Sequence, residues 1–445
     1  MALKALTVTN FLHCVVVAAL LLACGGCGKD EPQQPAQPNV LLVVVDTLRA
    51  DHLGIYGYGT APTSPFLDQL AQESLVVDGL VGVTSWTLPS MASLYSGKLP
   101  SEHRVMRMGG PKDSTLMEPQ TLAARFRQNG YATACMMSNF LLLKGKGFNE
   151  GFDLYDDQYA RQPDPHRGST AEDVAGGGIQ WLSKQDGSKP WFLNLHFFDP
   201  HTSYEDHAEW EFADPAYSGW VRGGLDDEDY KLHQAKASAA DRAQLAAYYD
   251  EEIRAVDEAL RQVVDELKRS GQWENTLLIF TSDHGEELAE RGYIGHTRTL
   301  HFEQVDLPLL VRMPQQQSVR GRRSGLLGQA RLYNTILELA SLPLNAKAQP
   351  SAAQWLLSNE SAPPQEHAFF EVDFMPIKPD PSRRITKRGM QFANGIKFVE
   401  DLKSGDRFLY DQRNDADETR NRLMDPTYKV YLDQARKLMA AHSWY

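Results

Sequence analysis

Cysteine is scarce, with four in 445 residues. Apart from Cys24 and Cys27 in a glycine-rich stretch, no pair has the CxxC spacing of a zinc site, and four thiols this scattered make no disulfide framework. Positive charge is also in deficit, 45 Lys and Arg against 58 Asp and Glu, for a net charge of −13. An acidic surface argues against nucleic acid as a partner. It does not bar an anionic substrate, because a local cation outweighs the distant field. Internal repeats are missing as well. What remains is an ordinary globular balance, 42% hydrophobic and 23% charged. The chain is too long for one simple core, so one large domain and a smaller one are expected.

The N-terminus reads as a targeting segment. Lys4 supplies a positive start and Phe11 to Ala23 an apolar run, too short for a comfortable membrane span and interrupted by His13. Leu21-Leu22-Ala23-Cys24 resembles a bacterial lipobox. That predicts a signal peptide over residues 1–23 and lipidation of Cys24, hence a membrane partner through a lipid anchor. The expected location is the extracytoplasmic side of a bacterial envelope, at the outer membrane in a Gram-negative host. Residues 24–38, ending in the Pro- and Gln-rich GKDEPQQPAQP, read as a flexible tether.

From Asn39 the pattern alternates strands and helices. Asn39 to Val45 is a β-branched apolar run that suits a central strand buried on both faces, and Asp46 follows at its carboxyl end. Leu75 to Val83, Tyr131 to Met137, Trp191 to Phe197, Thr276 to Phe280 and Leu307 to Val311 read as further strands. Ser64 to Ser74 reads as a helix capped by Ser64, and Gln120 to Asn129, Thr170 to Lys184 and Ala239 to Ser270 as others. GFNEGFDLYDD reads as loop and Leu344 to Gln365, rich in Ala, Pro and Ser, as a linker. Four short strands and a helix from Tyr428 to His442 follow. The expectation is an α/β fold: a large mixed, mostly parallel sheet between helices over residues 39–345, and a small antiparallel sheet with a helix over 366–445.

Ser85 to Gly97, SWTLPSMASLYSG, organises the rest. Pro89 suits a first helical position and Gly97 a helix end, which places Thr87 at or just before a helix N-terminus. There the backbone N–H groups and the helix dipole favour an anion; Thr is also a common plain N-cap. Other strand ends carry Asp46, Ser138-Asn139, His201 and Asp283-His284. Hard oxygen donors with an imidazole suit a divalent cation, so Asp46, Asp283 and His284, with Thr87 as fourth ligand, form a candidate site for one ion, Mn, Zn, Mg or Ca.

PNVLLVVVDTLRADHLGIYGYG, SWTLPSMASLYSGKLPSEH, FLNLHFFDPHTSY and NTLLIFTSDHGEELAERGYIGH together resemble the sulfatase family of the alkaline phosphatase superfamily. The resemblance implies an ester hydrolase acting on an anionic substrate, a metal held by Asp46, Asp283 and His284, and Thr87 at the nucleophile position. His201 and His296 match positions that contact the anionic group or the leaving oxygen, and Asn139 falls where many relatives place a pocket Lys. Two departures stand out. The family signature is Cys or Ser, any residue, Pro, Ser, Arg; here it reads Thr87-Leu88-Pro89-Ser90-Met91. Formylglycine needs a primary CH2, and Thr87 carries a methyl there, so no formylglycine is expected. The usual second Asp is Thr47. A Thr nucleophile looks more like phosphoryl-transferring relatives. Three readings follow: hydrolysis of a sulfate or phosphate ester, transfer of a phosphoryl group to an envelope glycan or lipid, and a non-catalytic binding lipoprotein. The sequence is silent on oligomeric state.

Overall fold

Asn39–Val45 (β1) is buried at every position. Val40, Leu42 and Val44 enter one apolar core, and Leu41, Val43 and Val45 another on the opposite face. A strand that must be apolar on both sides belongs at the centre of a covered sheet, and β1 is central in the computed structural model. The structure describes residues 37–444 apart from 109, 162–168, 208, 318, 359–363 and 376–379. The signal-like segment, Cys24 and the tether lie outside the described residues. Among the described residues no helix is long and apolar enough to cross a membrane.

The next strands in chain order are β2 (Leu75–Val81), β3 (Ala132–Met137), β4 (Leu154–Asp156), β5 (Trp191–Phe197) and β6 (Thr276–Ser282). A two-stranded hairpin of β7 (Glu287–Leu288) and β8 (Ile294–Gly295) precedes β9 (Asp306–Leu307), β10 (Leu309–Arg312) and β11 (Gly321–Gly328). Nine strands form one sheet ordered β11-β2-β10-β6-β1-β5-β3-β4, with β9 beside β2. Pairing is parallel for β1 with β5 and β6, for β3 with β4 and β5, and for β2 with β11, while β9 and β10 run the other way. The carboxyl ends of β1, β2, β3, β5 and β6 therefore open on one edge, where ligands bind in open α/β sheets.

Helices Thr87–Ser96, Leu122–Gln128 and Leu332–Leu339 cover one face. Helices Pro65–Leu70, Ala171–Leu182 and the long Ala239–Arg269 cover the other. The long helix buries Leu245, Ile253, Val256, Leu260, Val263 and Leu267, the stripe its sequence spacing predicts.

The C-terminal strands β12 (His367–Phe374), β13 (Ile385–Phe392), β14 (Ile396–Asp401) and β15 (Arg407–Asp411) form an antiparallel sheet. Helix Lys429–Ala441 packs Leu432, Ala435 and Met439 against Met390, Phe398 and Leu409. Phe370, Val372 and Val399 instead join the core of the large sheet, and the Glu371 amide donates to the Val83 carbonyl at 2.9 Å.

Three local expectations are corrected. The supposed linker contains a helical turn, Ala353–Leu357, whose Trp355 and Leu356 are buried in the main core; the Ala, Pro and Ser around them hid an apolar anchor. Leu154–Asp156 is a strand, because β3 offers an open edge to pair with. Ser64 makes no side-chain cap: its hydroxyl accepts from the Gly54 amide at 2.9 Å and faces Asp68. The strand β11 and helix Leu332–Leu339 were not anticipated at all.

Trp355→Ala is predicted to destabilise the protein by about 3–5 kcal/mol in urea unfolding, the range for truncating a buried aromatic. A change within about 0.5 kcal/mol, usual for surface sites, would show that this segment is a true linker.

Candidate active site

The helix begins at Thr87, not at Pro89. Trp86, extended at φ −166° and ψ 157°, is the N-cap and offers no side-chain cap. Thr87 is thus the first helical residue rather than a cap. Pro89 sits third, still within the first turn, where a missing N–H costs nothing. Gly97, at φ 70°, closes the helix. The Trp86 indole stacks edge-on against Phe374 at the end of β12, with centroids 5.3 Å apart.

Parallel strand ends bring the other groups to Thr87. Its Oγ1 lies 3.2 Å from His284 Nε2 and 3.4 Å from Asp46 Oδ1. His284 Nε2 lies 3.4 Å from Asp283 Oδ2 and 3.5 Å from Asp46 Oδ1. Asn139 donates from Nδ2 to Asp46 Oδ2 at 2.6 Å, and its Oδ1 accepts from the Leu141 amide. Its amide is therefore committed to Asp46, although it lines the cavity described below. Asp46, Asp283 and His284 are fully buried. Burial first, then the neighbouring Asp283, pushes the Asp46 carboxyl well above its usual range. Burial likewise lifts Asp283 to about 7 and holds His284 well below an ordinary imidazole. His284 Nδ1 faces the Gly285 carbonyl at 2.9 Å, which can only accept, so Nδ1 carries the proton and Nε2 a lone pair.

That lone pair points at two carboxylates, and Asp283 Oδ2 has no hydrogen-bond partner among the described residues. Acceptors facing acceptors out of water fit a missing positive charge. Their separations match donors around one cation, which sit about 3 Å from each other when each bond is about 2.1 Å. Asp46, Asp283, His284 and Thr87 therefore fit a divalent ion.

The surrounding backbone is pinned. Thr47, beyond Asp46, is left-handed at φ 54°, a costly conformation for a β-branched residue. Two ties hold it: its amide donates to Asp283 Oδ1 at 3.2 Å, and its carbonyl accepts from the Tyr249 hydroxyl at 2.7 Å. Gly285 is required because a Cβ there would stand 2.0 Å from the Glu303 carbonyl oxygen. Ser90, one turn after Thr87, donates to the Asp283 carbonyl at 2.6 Å. Gln329 Nε2 donates to Ser90 Oγ at 2.9 Å and to the Asp283 carbonyl at 3.1 Å. Met91, where the family signature has Arg, is buried in the apolar core.

Thr87, Asn139, His201 and His296 line a cavity of about 700 Å³ above this floor. His201 Nδ1 faces the Thr202 carbonyl at 2.5 Å, and His296 Nδ1 faces Glu286 Oε1 at 2.9 Å. The two rings meet edge to face, centroids 5.0 Å apart. The mouth carries Lys231, Arg298, Arg383, Arg384, Lys387 and Lys403 against one acid, Asp401. The C-terminal sheet thus supplies most of the positive charge.

Sequence reading passed over Glu286, Gln329 and His196. Gln329 carries no short-range signal, since its partners Ser90 and Asp283 lie 239 and 46 residues away; Glu286 pairs with His296 only ten residues on, through a loop with no regular period. His196 did carry one: a histidine inside a strand that must be apolar on both faces. It is fully buried in β5, and burial holds its pKa down at about 3.

The family model described as Sulfatase matches residues 38–342. The chain is similar to an N-acetylglucosamine-6-O-sulfatase of Bacteroides thetaiotaomicron, at 22% identity over 94% of this chain and 90% of the relative. It is similar in structure to a protein solved in complex with its substrate D-glucosamine-2-N,6-O-disulfate, with TM-score 0.74, 18% identity and coverage of 91% of this chain and 97% of that one. A phosphonate monoester hydrolase of Agrobacterium radiobacter is also similar, with TM-score 0.72, 23% identity and coverage of 91% and 95%. At these identities the structural likeness is one of fold.

Two predictions follow from the geometry. Gln329→Leu removes a donor from Ser90 and from the Ser282 and Asp283 carbonyls, and the side-chain acceptor of the Val83 amide. It should cost about 1–3 kcal/mol in urea unfolding, and an unchanged midpoint would remove Gln329 from the tie. In chelator-stripped protein, the Asp283 carboxyl, raised from 3.8 to about 7, adds stability that is full below 3.8 and lost as pH rises through about 7. The chelated melting temperature should therefore fall between about pH 4 and pH 7 and level off above, and excess divalent cation should flatten the fall. A flat chelated profile would contradict the buried-carboxylate floor.

Proposed function

The chain belongs to the sulfatase family, and on that premise we propose that it is a metal-dependent hydrolase of sulfate or phosphate esters with Thr87 as nucleophile. The observation that carries this is the position of Thr87 Oγ1, 3.2 Å from His284 Nε2, on a helix N-terminus that opens into the cavity. Asp46, Asp283, His284 and Thr87 would hold one divalent cation, which neutralises charge on the ester and lowers the hydroxyl pKa when bound.

Thr87, its proton released to bulk water as the lowered hydroxyl pKa would favour, attacks the sulfur or phosphorus in line through Oγ1, and the bond to the leaving oxygen breaks. His296, as an imidazolium with its Nδ1–H held by Glu286, gives that oxygen the proton on Nε2. His201, tied at Nδ1 to its neighbour's carbonyl, contacts the anionic group. Water then cleaves the Thr87 ester, restoring the hydroxyl and returning a proton to His296. The basic mouth on a chain of net charge −13 supports an anionic substrate. Sulfated amino sugars are the substrates named for two relatives and support a sulfated glycan here. Thr87 in place of an oxidisable Cys or Ser supports the second reading, a phosphate or phosphonate ester, the substrate class of another neighbour. The lipobox-like Leu21 to Cys24 supports an envelope location with a lipid anchor.

An aryl sulfate, a phosphate monoester, a phosphate diester and a phosphonate monoester, each assayed with each metal, separate the readings. Free sulfate or phosphate without an added acceptor marks hydrolysis, and product only with a glycan or lipid acceptor marks transfer. Thr87→Ala should lower kcat by about 10⁴-fold or more while the fold persists; full activity in that variant would refute the nucleophile assignment.

A further inference from the structure

His196 belongs to neither the mechanism above nor the apolar core. It lies one residue from the end of β5, opposite Val44 of β1 and Met137 of β3 in register. On a strand its side chain shares a face with Phe192, which enters the core under the Thr87–Ser96 helix. It therefore faces the layer that carries Thr87. One ligand atom each from Asp46, His196 and Asp283 lie within 4.8 Å of one another. His196 Nε2 is buried and has no hydrogen-bond partner among the described residues, a vacancy that costs about 1–3 kcal/mol in a native protein.

Proton counting fixes what Nε2 presents. The single hydroxyl proton of Ser138 goes to the His196 carbonyl oxygen. Towards His196 Nδ1, at 3.4 Å, the Ser138 oxygen can only accept. The ring proton of His196 is therefore on Nδ1, and Nε2 offers a bare lone pair. His284 is held in the same tautomer by the Gly285 carbonyl. His196 thus shares a buried cluster with Asp46 and Asp283, and the His284 lone pair faces the same two carboxylates at 3.5 and 3.4 Å. Ligands on opposite sides of an ion with bonds of about 2.1 Å stand about 4 Å apart, so atoms within 4.8 Å of one another need close by no more than about 0.6 Å to share a cation.

We propose that His196 is a further ligand of the cation assigned above to Asp46, Thr87, Asp283 and His284. Its second imidazole makes the site select a first-row transition ion, Zn²⁺ first, over Ca²⁺ and Mg²⁺. Oxygen-only cages suit the hard ions; paired imidazoles suit zinc and its neighbours. Ser138 acts as a positioning residue that fixes the tautomer and ring plane of the ligand. The inference rests on the metal-dependent reading and names the ion that reading leaves open.

The test reads metal, not turnover. Chelator-stripped protein is dialysed against an equimolar mixture of Zn²⁺, Mn²⁺, Ca²⁺ and Mg²⁺, and the retained ion is weighed by elemental mass spectrometry. X-ray absorption of the zinc-loaded protein counts imidazoles. The expected result is retention of zinc with two imidazoles. His196→Asn should weaken zinc binding by about 10–100-fold, and Ser138→Ala should weaken it in the same direction by less, both with little change for Ca²⁺. A single imidazole in the zinc-loaded protein, or unchanged zinc affinity in folded His196→Asn, overturns the assignment and leaves the hydrolase reading standing. A protein that retains no divalent ion at all defeats both. The absorption count needs no variant, so a misfolded substitution does not block the answer.

Discussion

Two carboxylates, Asp46 and Asp283, are held out of water within reach of one another and of an imidazole lone pair. Unit charges of like sign about 4 Å apart in a protein repel by about 4 kcal/mol at an effective dielectric of 20. A chain does not keep such an arrangement unless the backbone beneath it is stiff and a positive charge belongs in the gap. The stiffness is visible. The carboxylates stand at the ends of adjacent parallel strands, β1 and β6, whose register is fixed over their full length. Left-handed Thr47, Cβ-less Gly285 and the Ser90–Gln329 tie hold the turns that follow.

This floor divides the labour of the site. Next to Thr87 Oγ1 the buried Asp46, Asp283 and His284 present carboxylate oxygens and a lone pair; the cavity is lined by His201 and His296 together with aromatic and basic side chains. The threonine oxygen sits at the boundary. A negatively charged ester approaching this acidic protein meets six basic side chains around the cavity that Thr87 lines. Glu286 carries that logic one step further, setting the ring of His296 from behind the cavity.

Much of this was legible in the chain. The apolar runs of β1, β5 and β6 are unambiguous because a strand covered on both faces has no polar alternation to hide it. Asp46, Asp283 and His284 were visible because polar residues directly after such runs have one destination, the carboxyl edge. Failures have a common cause. Gln329 acts through partners distant in sequence, and Glu286 through a histidine ten residues on with no periodic relation to it, and neither leaves a local pattern. His196 was passed over because attention fell on strand ends, while the informative residue lay inside the strand. The segment around Trp355 was misjudged because three residues of apolar anchor were averaged into a permissive composition. Thr87 was placed near a helix start correctly, but Pro89 drew the boundary two residues late, since proline is tolerated anywhere in a first turn.

Trp86 joins the two sheets at the most sensitive point. Its backbone launches the helix that presents Thr87, and its ring is walled in by Phe374 from the last strand turn of β12. A shortened gene product ending before β12 would uncover that indole directly beside Thr87 and strip Arg383, Arg384, Lys387 and Lys403 from the cavity at the same time. The small C-terminal sheet is therefore no removable appendage: any transplant of this catalytic half into another scaffold has to carry the last eighty or so residues with it.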